Sequence, residues 1–558
     1  MRIKTLWLLL AMLVASLALV AAGCGGDDGG DAAGTGTEQE EQEGGGDLAA
    51  EQVITVNWGT EPPSLDPGLA TDTTSSNILT NIMDPLIKLD DELNPVPYLA
   101  ESIEASEDGL TYTIVLREGG KWTNGDPVTA GDFEYAWKRT ISPELAADYA
   151  YQLYGIKGAQ EYNGCEENCD ALRDEVGVRA VDDRTLEVTL TSPQPWFPQQ
   201  LAHHSFLAVH QETVEQHGEN WTEAANIVTN GPFRLETWEH NSRIDIVKWD
   251  EWRDADSVTL TRVNGRMISD ATTSVQAFEA GEVDVTSGLP PEEIPRLKET
   301  DGYQQYPGLG TYYYGVNVNT VTDVNQRRAM ALAIPRQSII DNIAQADQLP
   351  ATGFTPDGIP GFDTINPESP YLPPEGDMDR AKELMEQVES PKTDINLVIN
   401  DSPGHREIAV AVQAAWSELG LNVNIRQQEW AQFLEAVSPA GNNVDVYRLG
   451  WIGDYVDAYN FLELWTCESG NNGSNYCNEE YDELLRRVTS GELESDEDRY
   501  EVYGQAEDII LGEDGDMPIL PIYWYTYVYL EDPSIQDTFN INTLSQIDLT
   551  KVQVRETD

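Results

Sequence analysis

Four cysteines in the body of this 558-residue chain carry the most readable side-chain chemistry in the sequence. They lie in two local pairs, Cys165 with Cys169 and Cys467 with Cys477. An even number of thiols in an exported chain favours two disulfide bonds, and four cysteines allow three connectivities, of which the local one is the simplest. Metal binding is less favoured, because neither pair has C-x-x-C spacing and no histidine stands nearby.

The histidines and the common catalytic motifs give little indication of a metal site or an enzyme. His203, His204, His210 and His217 could supply imidazole ligands, but without an accompanying ligand spacing we favour surface or hydrogen-bonded histidines. G-x-S-x-G, H-E-x-x-H and phosphate-loop motifs do not occur. We therefore predict no catalytic residue, no metal ligand and no cofactor. An exported hydrolase assembled from scattered Ser, His and Asp side chains is kept as an alternative.

The N-terminal residues read as an export signal. Arg2 and Lys4 precede an unbroken apolar run, Leu6 to Ala22, which is followed by Gly23 and Cys24. A basic start, an apolar stretch and small residues are typical of a secretory signal peptide. The run could also just cross a bilayer core of roughly 30 Å, so a retained anchor helix is the alternative.

The segment Val20 to Cys24 resembles the lipobox of bacterial lipoproteins, with Ala21 where that family usually has Leu. The resemblance implies that residues 1–23 are removed as a signal peptide and that the Cys24 thiol carries the lipid. Residues 24–51 are rich in Gly, Asp and Glu and nearly lack large apolar side chains, so we predict a flexible tether. The protein is then expected on the outer face of the cytoplasmic membrane.

Composition indicates a large folded body that does not bind nucleic acid. Hydrophobic residues make up 40 % of the chain, with 14 Trp and 24 Tyr, which is globular composition. The length exceeds what one ordinary core needs. A formal net charge of -65 would repel a phosphate backbone, because nucleic-acid affinity comes largely from Lys and Arg.

Strand and helix patterns alternate along the chain, which predicts an α/β fold. Two helices are predicted at Met378 to Val388 and at Glu407 to Leu419, the second ending at Gly420. Runs rich in β-branched and aromatic residues predict strands at Val53–Trp58, Leu110–Leu116, Arg184–Leu190, Ile244–Trp249, Tyr312–Val318, Ile395–Ile399 and Leu421–Gln427.

The block from Leu99 to Arg139, LAESIEASEDGLTYTIVLREGGKWTNGDPVTAGDFEYAWKR, resembles the signature block of the family 5 solute-binding proteins, which serve oligopeptide, dipeptide and nickel importers. Further segments agree in the same order, namely Thr185–Leu190, Asn230–Phe233, Ala280–Asp284, Leu309–Tyr314 and Gly450–Tyr455. The similarity extends from Val53 to the end of the sequence. It implies a two-lobed periplasmic-binding-protein-like body with an additional inserted domain.

The same resemblance implies domain boundaries and partners. Lobe I is expected to combine residues 52–90, 226–312 and 525–558, with an inserted domain at 91–225 and lobe III at 313–524. The lobes would close over a ligand, expected to be an oligopeptide, and present it to the permease subunits of an ATP-driven importer. We expect the binding protein itself to be a monomer.

The resemblance also nominates binding residues. In oligopeptide-binding relatives the Asp of a Trp-x-x-Asp-Tyr segment pairs with the peptide's α-ammonium, and the residues from Trp451 to Tyr455 match that pattern. Asp454 is therefore the predicted amine anchor, with Trp451 and Tyr455 lining the same site. The family often continues with an acid and Pro, whereas Val456 and Asp457 stand here.

One further aromatic residue is a candidate ligand contact. Tyr313, in the run from Thr311 to Tyr314, could lie over a ligand, although alternating aromatic residues in a strand, as also from Tyr523 to Tyr527, equally indicate a core. Because binding directed at a backbone leaves little trace in sequence, a nickel chelate, a sugar or another solute of this family stays open as the ligand.

Overall fold

The strands of this protein fall into one large sheet and two small ones. The computed structural model describes residues 47–366, 371–439, 444–493 and 495–557, so the predicted signal peptide, Cys24 and residues 24–46 of the predicted tether lie outside the described residues. The strands are β1 Val53–Asn57, β2 Ile87–Leu89, β3 Pro95–Pro97, β4 Ala100–Ala105, β5 Thr111–Leu116, β6 Val178–Ala180, β7 Thr185–Thr189, β8 Phe233–Glu239, β9 Arg243–Lys248, β10 Arg262–Arg266, β11 Val285–Ser287, β12 Tyr303–Val316, β13 Leu349–Pro350, β14 Asp394–Asn400, β15 Asn422–Gln428, β16 Val446–Ile452 and β17 Ile519–Glu531.

Helices connect and cover these strands. They are α1 Thr73–Ile82, α2 Ala130–Thr140, α3 Ala159–Asn163, α4 Asp170–Glu175, α5 Phe197–Gln200, α6 Gln211–His217, α7 Ala271–Glu279, α8 Ile294–Leu297, α9 Val324–Leu332, α10 Arg336–Ile339, α11 Phe362–Ile365, α12 Met378–Met385, α13 Pro403–Ser417, α14 Trp430–Val437, α15 Tyr459–Leu462, α16 Glu479–Thr489 and α17 Asp496–Leu511. In the part of the chain that the structure describes, none of them is both long and apolar enough to span a bilayer.

The large sheet has eleven strands, in the order β15-β14-β16-β12-β17-β11-β1-β10-β9-β8, with β13 also paired to β17. Its middle is the antiparallel pair β12 and β17, which stay paired from Tyr303 opposite Leu530 to Gly315 opposite Ile519. Pro307 interrupts the register, because a proline has no N–H to give to the ladder. The smaller sheets are β2-β3 and β4-β5-β7-β6.

Two large hydrophobic cores lie along this sheet, and the described residues include a third, small cluster around Val275, Ile294 and Leu530. The first core takes its buried residues from 54–263 and 535–552, with Val285, and the second takes them from 309–523. Strands β12 and β17 pass from one to the other, since Tyr306 and Tyr527 pack on the first core and Tyr312 and Tyr523 lie in the second. We call the bodies around the two cores the first and second lobes. Tyr149, Trp196 and Leu544 belong to segments of the first lobe, but their side chains pack in the second core.

The first lobe joins segments from both ends of the described chain. Helix α1 buries Asn77 and Asn81, and both amides are satisfied by a distant segment. Asn77 donates to the Ser545 carbonyl (3.0 Å) and accepts from the Ile547 N–H (3.0 Å), while Asn81 donates to the Ile547 carbonyl (2.8 Å) and accepts from the Leu549 N–H (3.0 Å). The polar groups of α1 are therefore completed only by residues 545–549.

The four-stranded sheet and α2 lie inside residues 91–225 and follow their local sequence. The turn before α2 has Gly125 at φ +97°, a conformation that glycine adopts without strain. Helix α2 begins with a capping box, in which the Thr129 N–H donates to the Asp132 carboxylate at 2.7 Å. The buried residues of this sheet share the first core. The predicted boundaries of lobe I, the inserted domain and lobe III stay predictions.

Both predicted cysteine pairs are joined locally. Cys165 is bonded to Cys169, directly after α3, and Cys467 is bonded to Cys477, directly before α16. Each disulfide therefore fixes a short surface loop. The second loop contains Gly470 and Asn471, which line the cleft described below.

Candidate functional site

A cleft of about 770 Å³ lies between the two lobes. On the first lobe it is lined by residues from 71–76, 148–149, 203–204 and 544–546, and on the second by residues from 400–401, 430–439, 448–454 and 470–471. Such a volume falls within the range of small-molecule sites and suits a short chain of residues. The consecutive residues 448–454 form the longest uninterrupted part of the wall.

One edge of strand β16 is open toward this cleft. On one side β16 pairs with β12 along its whole length, from Val446 to Ile452. On its other side β14 pairs only with Val446 and Tyr447. In the described part of the sheet, the backbone from Arg448 to Ile452 therefore keeps hydrogen-bonding groups with no partner strand. An extended ligand could add there as a further strand.

Asp454 lies where β16 ends and the chain turns back toward α15. The Gly453 N–H donates to the Leu309 carbonyl at 2.8 Å, and the Asp454 N–H donates to Asn460 Oδ1 at 2.8 Å, which fixes the turn. The Asp454 side chain is only 9 % exposed. Its Oδ2 accepts from Gln152 Nε2 at 2.6 Å and from Asn460 Nδ2 at 3.2 Å.

In the described part of the chain, the basic side chain in ion-pair range of Asp454 is His203. Its Oδ1 lies 3.3 Å from His203 Nε2, and the other ring nitrogen of His203 accepts from the Ser205 N–H at 3.3 Å. That arrangement puts the proton of a neutral imidazole on Nε2, facing the carboxylate. Among the described residues, no Lys or Arg forms an ion pair with Asp454. A nearly buried carboxylate without a Lys or Arg partner favours a positively charged ligand group.

Arg448 is the cationic side chain of the same wall, and the sequence interpretation missed it. It is 8 % exposed, donates to Tyr525 OH at 2.8 Å and to Asn400 Oδ1 at 3.2 Å, and lies over the Tyr312 ring at 4.5 Å. No described carboxylate forms an ion pair with it, and its Nε has no hydrogen-bond partner. The cleft therefore offers a carboxylate and a guanidinium six positions apart along the chain.

Trp451 lies at the cleft, as predicted, and its role as a ligand contact stays a prediction. The side chain is 7 % exposed, and its Nε1 donates to Asn460 Oδ1 at 3.1 Å. The ring also meets Tyr149 of the opposite wall edge-on, with centroids 6.3 Å apart. Asn460 thus ties Trp451 and the Asp454 turn together.

Tyr455 and Tyr313 are not among the residues that line the cleft, and the ligand contacts predicted for them stay predictions. Tyr455 has no exposed surface and donates its hydroxyl to Glu463 Oε1 at 3.0 Å, because the turn after Asp454 directs the next side chain into the second core. Tyr313 is 1 % exposed and packs edge-on against Phe354 and Trp465. Neighbouring residues of a strand face opposite sides, so Tyr312 rather than Tyr313 lies beneath Arg448.

The opposite wall supplies further residues that no sequence motif indicated. Gln152, His203 and Tyr149 are distant in sequence from Asp454: Tyr149 and Gln152 lie in the 3-10 helix Asp148–Leu153, and His203 precedes the 3-10 helix His204–Phe206. Their only local signal is a pair of histidines, His203 and His204. Burial lowers the pKa of His204 well below its usual value, and its ring nitrogens lie near the Ala70 carbonyl (2.9 Å) and the Ser76 hydroxyl (3.2 Å).

The remaining histidines of the nickel alternative lie apart from these. His210 caps α6, with Nδ1 2.8 Å from the Thr213 hydroxyl, and its Nε2 lies 3.2 Å from Asp126. Within residues 47–366, 371–439, 444–493 and 495–557, no group of three or more His, Cys, Asp or Glu side chains is arranged to hold a metal ion.

Glu463 gives the site a testable pH dependence. Burial raises its pKa to about 8, and the nearby Asp454 charge adds to that rise, although the Tyr455 hydrogen bond lowers it. A carboxyl whose pKa is higher in the folded protein stabilises the fold at low pH, and this contribution is lost as pH rises toward the folded pKa. Between about pH 5 and pH 8, unfolding of the wild type should thus become easier relative to Glu463→Gln.

Urea denaturation of both proteins across this range measures the difference. As pH rises, the free energy of unfolding of the wild type should fall relative to that of Glu463→Gln. The slope of this difference is at most about 1.4 kcal/mol per pH unit, which is the limit for one proton. Burial also raises the pKa of Glu507 and Glu531 to about 7, but these carboxyls are shared by both proteins and cancel. A gap that stays constant from pH 5 to pH 8 contradicts the raised pKa.

This protein has a cleft between two lobes, and one pair of strands runs through both lobes. That arrangement is typical of binding proteins whose lobes close around a ligand. A family model, bacterial extracellular solute-binding proteins family 5 (middle), matches residues 94–473. The oligopeptide-binding protein OppA of Bacillus subtilis is 35% identical over 545 residues, covering 94% of this chain and 95% of the relative. The chain belongs to family 5 of the bacterial extracellular solute-binding proteins.

Solved structures agree with this assignment and with the two-lobed fold. Haemophilus influenzae OppA in complex with the peptide RPPGFSPFR matches with a TM-score of 0.83 at 30% identity, covering 91% of this chain and 100% of the other. The substrate-binding domain of an oligopeptide ABC transporter from Bacillus anthracis gives 0.82 at 29% identity, with the same coverage. The unliganded open form of the murein tripeptide-binding protein MppA gives only 0.64 at 29% identity, covering 91% and 98%.

Proposed function

We propose that this protein captures peptides between its two lobes and delivers them to the permease of an ATP-driven importer. The observation that carries the proposal is Asp454, a carboxylate only 9 % exposed at the cleft, surrounded by the neutral donors Gln152 and Asn460 and by His203. The α-ammonium of a peptide supplies the missing positive charge. It can donate up to three hydrogen bonds, so it can join the neutral donors around the carboxylate.

The open edge of β16 accounts for the rest of a peptide. A peptide whose amino end lies at Asp454 and whose chain runs toward Arg448 is antiparallel to β16 and can pair with the backbone from Leu449 to Ile452. Backbone pairing places alternate ligand side chains on opposite faces, in a cleft wide enough to hold water with them. Binding directed at the backbone suits ligands of varied sequence.

Arg448 supports the same orientation. Arg448 lies at the far end of the open edge and forms no ion pair with a described carboxylate, so its charge is suited to a carboxylate of the ligand. The pair Asp454 and Arg448 would then recognise the two charged ends of a short peptide. The relatives named for oligopeptides, and the one solved with a peptide, support this choice over a sugar or a nickel chelate.

The protein acts by binding and closure and performs no covalent chemistry. Its partners are the peptide and the permease subunits, and it works as a monomer. The lipobox-like segment supports attachment to the membrane through a lipid on Cys24, with the folded body on the outer side. The passage of β12 and β17 between the two cores supports the predicted division between lobe I and lobe III, and an inserted domain at 91–225 is proposed on the resemblance alone.

Calorimetry with matched peptide pools tests the proposal. The chain from residue 24 onward is unfolded and refolded to remove any ligand acquired during expression, then titrated with a mixed oligopeptide pool and with the same pool N-acetylated. We expect heat from the free-amine pool and little from the acetylated pool, because acetylation removes the positive charge that Asp454 requires. If neither pool gives a measurable heat of binding, the result contradicts peptide capture and favours another solute of this family.

A further inference from the structure

Trp196 connects the two lobes directly. It immediately precedes α5, whose first residue Phe197 is buried in the first core, yet the Trp196 side chain lies in the second core and is 3 % exposed. Its ring stacks on Tyr459 at 5.0 Å between centroids and on Tyr455 at 6.2 Å, with planes 16° and 9° apart. The Arg499 guanidinium lies 6.0 Å from the same ring.

The two rings that stack on Trp196 belong to the loop that directly follows Asp454. Tyr455 directly follows Asp454, and Tyr459 begins α15, so Trp196 contacts both sides of the turn. The Val456 N–H between them donates to Gln199 Oε1 of α5 at 2.9 Å. At this short loop the two lobes are therefore joined by stacked rings and by a hydrogen bond from a backbone N–H to a glutamine side chain.

Further bonds cross the same interface beside the two disulfide loops. Asn471, inside the loop closed by Cys467 and Cys477, donates to Tyr151 OH at 3.1 Å. In α3, just before the loop closed by Cys165 and Cys169, Gln160 donates to Glu468 at 2.8 Å. The surfaces that meet are therefore stiffened on both sides by a covalent bridge.

The lobes are in a closed arrangement. At nearly equal sequence identity and coverage, this structure superposes on a peptide complex with a TM-score of 0.83 and on an unliganded open form with 0.64. In an open arrangement the Trp196 ring would leave the second core, and the stacked faces of Tyr455 and Tyr459 would become exposed to water. Exposing the apolar faces of these three rings to water costs free energy, and this cost opposes opening of the lobes.

We infer that Trp196 is a latch, a positioning residue that favours the closed form and holds the Asp454 turn in its binding geometry. The inference rests on the proposed function, since the closed cleft is where a peptide is held. The contacts of the latch join protein to protein, so they favour closure with or without a peptide. Peptide release requires opening, and the latch must separate before the ligand can leave.

The test compares Trp196→Ala with Trp196→Phe, which restores an aromatic ring, and with Trp238→Ala as a matched control. Trp238 is a partly buried tryptophan of the first lobe. Its Nε1 donates to Glu61 at 3.0 Å, and its ring packs on the first core, so its contacts are with first-lobe residues. Small-angle scattering of the ligand-free full chains gives the radius of gyration. Displacement of a labelled peptide by excess unlabelled peptide gives its dissociation rate.

We expect Trp196→Ala to increase the ligand-free radius of gyration and to release peptide about tenfold faster, because two stacked aromatic contacts are lost. Trp196→Phe should recover most of both properties, and Trp238→Ala should behave as the wild type. Equal radii and equal release rates for Trp196→Ala and the wild type overturn the latch while leaving peptide capture intact. If the wild type binds no peptide, the proposed function fails, and the scattering comparison alone decides whether the latch exists.

Discussion

Replacing Asp454 by Asn is expected to weaken the binding of peptides with a free α-ammonium by at least about a hundredfold. Removal of one partner of a buried ion pair costs about 3 kcal/mol or more, which corresponds to that factor. Asn keeps the shape of the side chain and one acceptor oxygen for Gln152, so the turn should stay folded. Calorimetry with one defined tetrapeptide, and with its N-acetylated form, measures the loss.

The controls separate charge from structure. Acetylated peptide should bind the wild type as poorly as free peptide binds Asp454→Asn, and acetylation should matter little to the variant. Asp401→Asn is the matched control, because Asp401 also lines the cleft but is exposed, and its carboxylate accepts from Gln427 Nε2 at 3.3 Å. If both variants lose the same affinity, the general negative charge of the cleft, rather than Asp454, attracts the amine.

Replacing Arg448 by Gln is expected to weaken the binding of peptides with a free carboxylate by about 10- to 100-fold, for the peptide length whose carboxyl end reaches it. A charge-assisted pair at a site that is 8 % exposed is lost, whereas a C-terminally amidated peptide has no such pair to lose. Titration of a length series, each peptide as acid and as amide, locates the length at which amidation matters most. That length measures the spacing between the two charged groups of the cleft.

Arg448→Lys serves as the control for this prediction. Lys retains the charge but cannot form the two-bond pair or keep the contacts with Tyr525 and Asn400, so its affinity should fall between the other two proteins. If Arg448→Gln weakens acid and amide peptides equally at every length, then Arg448 supports the Tyr312 and Tyr525 rings and does not recognise a carboxylate.

Much of the fold was predictable because its elements follow local patterns. The predicted strands at Val53–Trp58, Arg184–Leu190 and Ile395–Ile399 are confirmed within a residue or two. The predicted order of helix, Gly420 and strand is also confirmed, with Gly420 at φ +81°, although α13 begins four residues before the predicted Glu407. The first half of β12 was missed, because Pro307, Gly308 and Gly310 interrupt the strand pattern. Its partner β17 holds that stretch in the sheet, and pairing between distant segments leaves no local signal.

The site was less predictable than the fold for the same reason. The resemblance named Asp454 and Trp451, and the structure places both at the cleft. Gln152 and His203 reach Asp454 only through the meeting of two lobes, which no spacing in the sequence expresses. Arg448 did carry a signal, since a charged residue within the otherwise apolar run of β16 needs a reason to be there.

The dependence of α1 on residues 545–549 has a consequence for the order in which the protein can fold. The first lobe cannot satisfy Asn77 and Asn81, or complete the pairing of β11 with β17, until the last segments of the described chain have been synthesised. The second core draws almost entirely on one continuous stretch, 309–523, and can form earlier. The N-terminal strands therefore stay without their partners longest during synthesis, and exposed strands of that kind are prone to association.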